Sequence, residues 1–255
     1  MSRWRHAVPT ALRIGGPAAG TLILTAALVG LRPSVGVRLL ADGVSAPVAV
    51  AGVCWAGQLW YLGRLLDAER RWLPGPADVV TLLRGALYAV VAGFVVVRPA
   101  PPLSWVPALL YGTATLLDCV DGTIARTVGT ETDVGGRLDV ALDAVGTVVA
   151  PLVAVAWGQL PVWYLSLSAA RYIYVGGLVW RRRRRPLFET PDDDFSRYLG
   201  AAQMVFITAA LVPATPAVLV EVVAPPLLVA SLVSFARDFL AVTGRETVLP
   251  GRRRP

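Results

Sequence analysis

Four aspartates inside an apolar region are the residues of this sequence best suited to chemistry. They lie in DCVDGTIARTVGTETDVGGRLDVALD and are Asp118, Asp121, Asp139 and Asp143. Strongly apolar stretches flank this segment, PLSWVPALLYGTATLL before it and AVGTVVAPLVAVAW after it. An acid inside such a run costs roughly 2.5–3.5 kcal/mol at the centre of a membrane on insertion scales. Four of them in one segment therefore need a structural or functional reason.

The spacing of these acids predicts two helix faces that oppose each other. Successive residues of a helix turn by about 100°, so positions i, i+3, i+4 and i+7 share a face. The first such face carries Asp118, Asp121, Gly122 and Ala125. The second face carries Gly135, Asp139 and Asp143. The short polar loop TVGTETDVG between them predicts an antiparallel pair, with small residues that leave room for a ligand and allow close approach.

Four facing carboxylates need a counter-charge, because they cannot all ionise beside one another without one. Hard divalent cations with oxygen ligands supply it, and two metals about 3.5–4 Å apart form a clamp suited to displacement at phosphorus. Zinc would favour cysteine or histidine ligands, and none lies at a suitable spacing. Arg126, one turn after the acids, is placed to bind phosphate oxygens. The pattern predicts a two-metal site for a phosphorylated ligand.

Two other interpretations of the acids remain open from the residues alone. The acids could be paired with arginines that only hold helices together, the candidates being Arg84, Arg126 and Arg137. They could also form an ion or proton pathway, as in a divalent-cation transporter. Arg126 beside the acids disfavours a cation pathway.

The composition predicts an all-α polytopic membrane protein. Of the 255 residues, 55% are hydrophobic and 16% are charged, against about 25% charged in soluble proteins. All 24 basic residues are arginine and the formal charge is +7. Because the arginines cluster at the ends of apolar runs, they favour an anionic membrane surface over nucleic acid as the partner.

Apolar runs of about 20 residues predict eight membrane helices. They cover about 12–31, 45–65, 78–97, 103–126, 136–157, 161–180, 195–212 and 217–242. We interpret the first as an uncleaved helix, since the sequence that follows it is a poor context for signal-peptide cleavage. The predicted organisation is an N-terminal appendage with two helices and a linker at 1–75, a six-helix core at 76–242 and a basic tail at 243–255.

The distribution of arginine predicts the orientation of the core. Arg181–Arg185 mark a cytoplasmic loop, and the loops on the opposite side, near 99–102, 158–160 and 213–216, carry almost no charge. The loop at 32–44 departs from this pattern. We therefore expect a plasma-membrane protein whose acids open toward the cytoplasm.

The acidic segment also resembles a known family signature. It matches D-x2-D-G-x2-A-R-x8-G-x3-D-x3-D at every fixed position, which is similar to the motif of the CDP-alcohol phosphatidyltransferases. The resemblance implies a homodimer of six-helix protomers with two Mg²⁺ or Mn²⁺ ions. It implies that the four aspartates bind the metals and that Asp143 is the general base. The substrate-binding residues it implies are Gly122, Ala125, Arg126 and Gly135.

A weaker resemblance lies at the start of the core. Family members often begin their first core helix with Pro-Asn-x-x-Thr-x-x-Arg, and here the text is PADVVTLLR from Pro76. The resemblance places Thr81 and Asp78 near the nucleotide. The alternative is a simple helix start, with Asp78 at the positive helix end and Arg84 extending toward the membrane surface.

The reaction that the resemblance implies is transfer of a phosphatidyl group from CDP-diacylglycerol to an alcohol, with release of CMP. The opposite polarity, a soluble CDP-alcohol donor and diacylglycerol as acceptor, fits the same signature. Arg171 and Arg197 are candidate acceptor-binding residues. The run LGAAQ at 199–203 has no lysine, whereas glycerol-phosphate-using members tend to carry Gly-Lys-x-Lys-Thr there. We also expect Arg237 and Asp238 to pair structurally.

Overall fold

The protein is described here by a computed structural model that covers residues 46–68, 76–97, 99–128, 133–182 and 194–242. These residues form seven α-helices and short 3-10 turns, and they contain no strand. The helices are α1 (Ala46–Ala68), α2 (Pro76–Gly93), α3 (Val106–Val128), α4 (Asp133–Ala156), α5 (Ser166–Arg182), α6 (Asp194–Leu211) and α7 (Ala217–Val242).

The all-helical prediction is confirmed for these parts of the chain. Three helices are long and apolar enough to cross a membrane, over Val79–Val96, Val134–Ala156 and Ala217–Ala241. The count of eight spans stays a prediction, and the helix expected at 12–31 lies outside the described residues. The division into an appendage, a core and a tail likewise stays a prediction.

Helix α2 is the centre of the packing, since α1, α3 and α4 all contact it. Its buried face carries Tyr88, Val91 and Ala92, and Val95 continues that face in the 3-10 turn that follows. Gly146 of α4 faces that side, and a Cβ built there would lie 2.7 Å from Cζ of Tyr88. The absence of a side chain at this position therefore allows α4 to pack directly on the tyrosine ring.

Helix α4 buries a continuous stripe at helical spacing. Val134, Leu138, Ala141, Leu142 and Val145 are all buried, and this periodicity is that of one helix face. Asp139 and Asp143 follow two of these positions by one residue. The acids consequently lie at the edge of the packed stripe, where they can reach a neighbouring helix and still remain partly open.

Side-chain contacts show that helices consecutive in the chain run in opposite directions. Ser168 donates to the Thr147 carbonyl at 2.8 Å and Tyr172 donates to the Ala144 carbonyl at 3.3 Å. Helix α5 therefore packs antiparallel to α4. At another helix pair, Arg237 donates to Ser196 at 3.2 Å. The start of α6 and the end of α7 are therefore close together.

A buried polar cluster fastens the second half of the bundle. Tyr164 donates to Oε1 of Gln203. Nε2 of Gln203 donates to the Leu227 carbonyl at 3.1 Å and to Oγ of Ser231 at 2.7 Å. Since every polar group of the Gln203 amide is used, this residue of the lysine-free run LGAAQ serves helix packing.

Candidate active site

A fully buried arginine lies at the centre of the acidic cluster. Arg84 is on α2, and its side chain has 0% exposure. Its Nη1 lies 2.8 Å from Oδ1 of Asp118 and 2.5 Å from Oδ1 of Asp139. Its Nη2 lies 2.5 Å from Oδ1 of Asp143. One guanidinium thus joins acids from two other helices, α3 and α4.

The three acids meet closely while remaining accessible from one side. Asp118, Asp139 and Asp143 each offer an oxygen within 4.8 Å of the others. Their side chains are 32%, 40% and 22% exposed, respectively, whereas Arg84 beneath them is not exposed at all. The arginine is therefore the floor of the site, and the carboxylates form its open rim.

The charges and donor atoms of this cluster fit a divalent cation. Three carboxylates against one guanidinium leave a formal charge of −2. The converging atoms are all carboxylate oxygens, the ligands that Mg²⁺ and Mn²⁺ prefer. Asp118, Asp139 and Asp143 are the described residues that would hold such an ion.

The structure brings together part of the predicted site. Asp118 on α3 meets Asp139 and Asp143 on α4, as the two-face interpretation predicts. The surroundings of four other predicted residues of α3 lie outside the described part of the chain: Asp121, Gly122, Ala125 and Arg126. Gly135 is half-buried near the start of α4.

The residues predicted at the start of the core are described in part. Thr81 is buried, with 3% exposure, and it precedes Arg84 by three residues on α2. The two side chains therefore share a helix face. The side chain of Asp78 lies outside the described residues.

The two arginines predicted to bind the acceptor have different surroundings. Arg171 is half-buried, and its Nη1 donates to Oγ1 of Thr147 at 3.4 Å. Thr147 in turn donates to the carbonyl of Asp143 at 2.7 Å. A single residue, Thr147, therefore connects Arg171 to the turn of α4 that carries Asp143. Arg197 is exposed near the start of α6.

The predicted pairing of Arg237 with Asp238 is confirmed, with 3.1 Å between Nη2 and Oδ1. Arg237 also donates to Ser196, whose hydroxyl lies 2.9 Å from that of Ser234. This cluster joins α6 to α7 at the end of the bundle.

The interpretation in which Arg84 extends to the membrane surface is wrong, because its side chain is completely buried among acids. Pairing of the acids with Arg84 was one of the open alternatives, and the structure shows that pairing. The signal for it was the Thr81-x-x-Arg84 spacing in the weaker motif. That pattern indicated a helix face but not the partner of the arginine.

Comparison with known proteins identifies the family to which this sequence belongs. No curated protein matches the chain. Residues 76–236, more than half of the chain, match the sequence model of the CDP-alcohol phosphatidyltransferases. That region contains α2 to α6 and most of α7, including Arg84 and the three converging acids. The chain therefore belongs to the CDP-alcohol phosphatidyltransferase family.

Proposed function

We propose that this protein is an integral-membrane phosphotransferase that moves a phosphatidyl group from CDP-diacylglycerol to an alcohol and releases CMP. The observation that carries the proposal is the convergence of Asp118, Asp139 and Asp143 above Arg84. The family supports phosphatidyl transfer in lipid synthesis. The choice of donor and the direction of transfer are our inference.

The acids would hold two Mg²⁺ or Mn²⁺ ions, with Asp121 completing the set. Bound there, the ions would neutralise the diphosphate of the donor and the charge that develops on CMP. Arg84 supports this arrangement from below, because its two terminal nitrogens fix the positions of carboxylates from two helices. Such preorganisation lowers the cost of assembling the site during the reaction.

We assign Asp143 the role of general base. Its carboxylate receives the proton of the acceptor hydroxyl as the hydroxyl oxygen forms a new bond to phosphorus. The bond between that phosphorus and the CMP oxygen breaks, and Arg126 balances charge on the departing phosphate. Arg84 orients Asp143 through the 2.5 Å contact to its Oδ1. Gly122, Ala125 and Gly135 leave space for the nucleotide, with Thr81 and Asp78 nearby.

Arg171 is the best candidate for recognising the acceptor. Its contact with Thr147 places a cation beside the turn that carries Asp143. A phosphate or polyol on the acceptor would suit this guanidinium. Arg197 is a second candidate, at the start of α6. The lipid tails of the donor would stay in the bilayer while its head group reacts at the cytoplasmic rim.

The decisive experiment measures release of labelled CMP from CDP-diacylglycerol by purified protein with Mg²⁺ or Mn²⁺. The acceptor panel comprises glycerol 3-phosphate, inositol, inositol phosphate, serine and a lipid alcohol. We expect release with one of them and a loss of at least about 100-fold in Asp143→Asn, typical of removing a catalytic base. Asp67→Asn, at an exposed position of α1, is the matched control and should retain full activity.

The assay also separates the alternatives. CMP release from a soluble CDP-alcohol with diacylglycerol, and none from CDP-diacylglycerol, would establish the opposite polarity. Absence of release from either donor would contradict the enzyme proposal and direct attention to cation flux in proteoliposomes.

A further inference from the structure

Helix α1 lies outside the residues that match the family, yet it packs directly on the helices of the site. It contacts both α2 and α4. The hydroxyl of Tyr61 donates to the carbonyl of Arg137, two residues before Asp139, at 3.4 Å. Tyr61, Leu62 and Leu65 of α1 share one apolar cluster with Leu138 and Leu142 of α4.

Two glycines of α2 allow α1 to approach closely. A Cβ built at Gly93 would lie 2.6 Å from the carbonyl oxygen of Pro47, and one built at Gly85 would lie 2.2 Å from Oε1 of Gln58. The two contacts show that α1 and α2 run antiparallel. The second contact places the Gln58 amide against the residue that immediately follows Arg84.

The Gln58 amide and the Arg84 guanidinium carry complementary groups that lack partners in the described part of the chain. Gln58 is 3% exposed and Arg84 is 0% exposed. Oε1 of Gln58, an acceptor, and Nε of Arg84, a donor, are both buried without a hydrogen bond. The hydroxyl of Tyr88, one turn after Arg84, is buried without a partner as well, but it belongs to α2 itself, whereas Gln58 comes from α1. A buried polar group without a partner is costly, so pairing of Gln58 with Arg84 is favourable.

We propose that Gln58 is a positioning residue for Arg84, with its Oε1 accepting the Nε–H directly or through one water. The remaining nitrogens of Arg84 already face the three acids. The added bond would fix the plane of the guanidinium, and through it the spacing of carboxylates from α3 and α4. A helix from outside the family-matched region would thereby complete the active site.

A double-mutant cycle in stability tests the contact without relying on activity. The variants are Gln58→Leu, which keeps the side-chain size, and Arg84→Lys, which keeps the charge but has no Nε–H. In EDTA we expect Gln58→Leu to lower the Tm by about 2–8 °C, because it removes one buried hydrogen bond. In the Arg84→Lys background the loss should shrink to about a third or less. Equal losses in both backgrounds would overturn the proposal.

The kinetic consequence rests on the proposed function. In Gln58→Leu the Mn²⁺ concentration for half-maximal CMP release should rise at least about 3-fold, while the KM for the lipid donor stays unchanged. The expected rise is smaller than the tenfold change typical of losing a direct metal contact, because Gln58 acts on the acids only through Arg84. Gly57→Ala is the control, since nothing lies within 4 Å of a Cβ at that position of α1. An unchanged Mn²⁺ dependence in Gln58→Leu would contradict the positioning role.

A second variant protects the test if Arg84→Lys does not fold. Gly85→Ala retains both Gln58 and Arg84 but places a methyl group 2.2 Å from Oε1 of Gln58, and 3.0 Å from Cδ1 of Leu142, so that the amide must move. It should reproduce the Mn²⁺ shift of Gln58→Leu, and a lower Tm with no Mn²⁺ shift would count against the proposal. If the Tm losses of Gln58→Leu and Arg84→Lys are not additive but the protein releases no CMP, only the proposed function is refuted. If the two Tm losses are additive and the protein releases CMP, only the positioning role of Gln58 is refuted.

Discussion

Arg84 sets the electrostatic balance of the site. It is buried completely, and its two terminal nitrogens contact Asp118, Asp139 and Asp143. An arginine suits this position because its planar fork can contact several carboxylates at once, whereas lysine offers a single point charge. The same residue can therefore hold the helices together before a metal binds and support the acids afterwards.

Removing this charge should destabilise the protein in a way that metal reverses. Breaking a buried ion pair by deleting one partner costs about 3–5 kcal/mol. Because the acids are partly exposed, we expect the cost of Arg84→Leu to lie near the lower end of that range. We expect a Tm loss of roughly 6–12 °C in EDTA, at about 2–4 °C per kcal/mol. Millimolar Mn²⁺ should recover part of it, because a divalent cation replaces the lost charge.

Thermal unfolding in detergent, with and without Mn²⁺, measures this effect. Arg84→Lys is the comparison and should lose less than Arg84→Leu in EDTA. The interpretation of Arg84 as the counter-charge would fail if Arg84→Leu melted at the wild-type temperature in EDTA.

Helix packing, at the next scale, explains how the acids of α3 and α4 reach Arg84. The ring of Tyr88, one turn after Arg84, lies between Gly146 of α4 and Tyr111 of α3, with 5.7 Å between the two ring centroids. The spacing of the acid-bearing helices thus depends on the absence of a side chain at Gly146.

A methyl group at that position should disturb both stability and the site. In Gly146→Ala the new Cβ would lie 2.7–3.0 Å from three carbons of the Tyr88 ring, so the ring must move. Overpacking costs about 1–3 kcal/mol, and we expect a Tm loss of a few degrees together with reduced CMP release. Gly52→Ala on α1, where a Cβ meets nothing within 4 Å, should melt at about 1–4 °C above wild type, because alanine is the better helix former. Equal melting of the two variants would show that α4 relaxes without cost.

The sequence predicted the helices and the acid faces for definable reasons. Apolar runs ending at arginines or prolines fix helix positions to within a few residues, and the i, i+4 spacing places Asp139 and Asp143 on one face. The same spacing does not say which helix lies opposite that face. The convergence on Arg84 depends on how α2 packs between α3 and α4, and the contact of Gln58 depends on α1, which carries no family motif.

At the scale of the whole molecule, the ends of the core helices determine where substrates enter. Arg84 contacts Asp118 and Asp139, and Tyr88 one turn later contacts Tyr111 and the Gly146 position. The beginning of α2, the end of α3 and the beginning of α4 therefore lie at one end of the bundle. The nucleotide part of a CDP-linked donor and the CMP product are both water-soluble. We therefore propose that this end of the helix bundle faces the cytoplasm. The cluster Arg181–Arg185, which begins in the last turn of α5, supports that orientation.

Cysteine accessibility in intact cells tests the orientation. In a background of Cys54→Ser and Cys119→Ser, single cysteines replace Ala100 and Ala214, which are exposed in the loops at the opposite end of the bundle. A third cysteine replaces Thr190, in the segment between α5 and α6. A membrane-impermeant maleimide should label the first two positions in intact cells and the third only after lysis.

The reverse labelling pattern would place the acids on the outer side of the membrane. It would contradict the cytoplasmic site while leaving the geometry of Arg84 and its acids untouched. Labelling of all three positions in intact cells would instead mean that the chain inserts in two orientations, which is a real alternative for a protein whose loop at 32–44 carries arginines against the general pattern. Truncating the first 44 residues should then restore a single orientation, because the remaining loops agree in their arginine distribution.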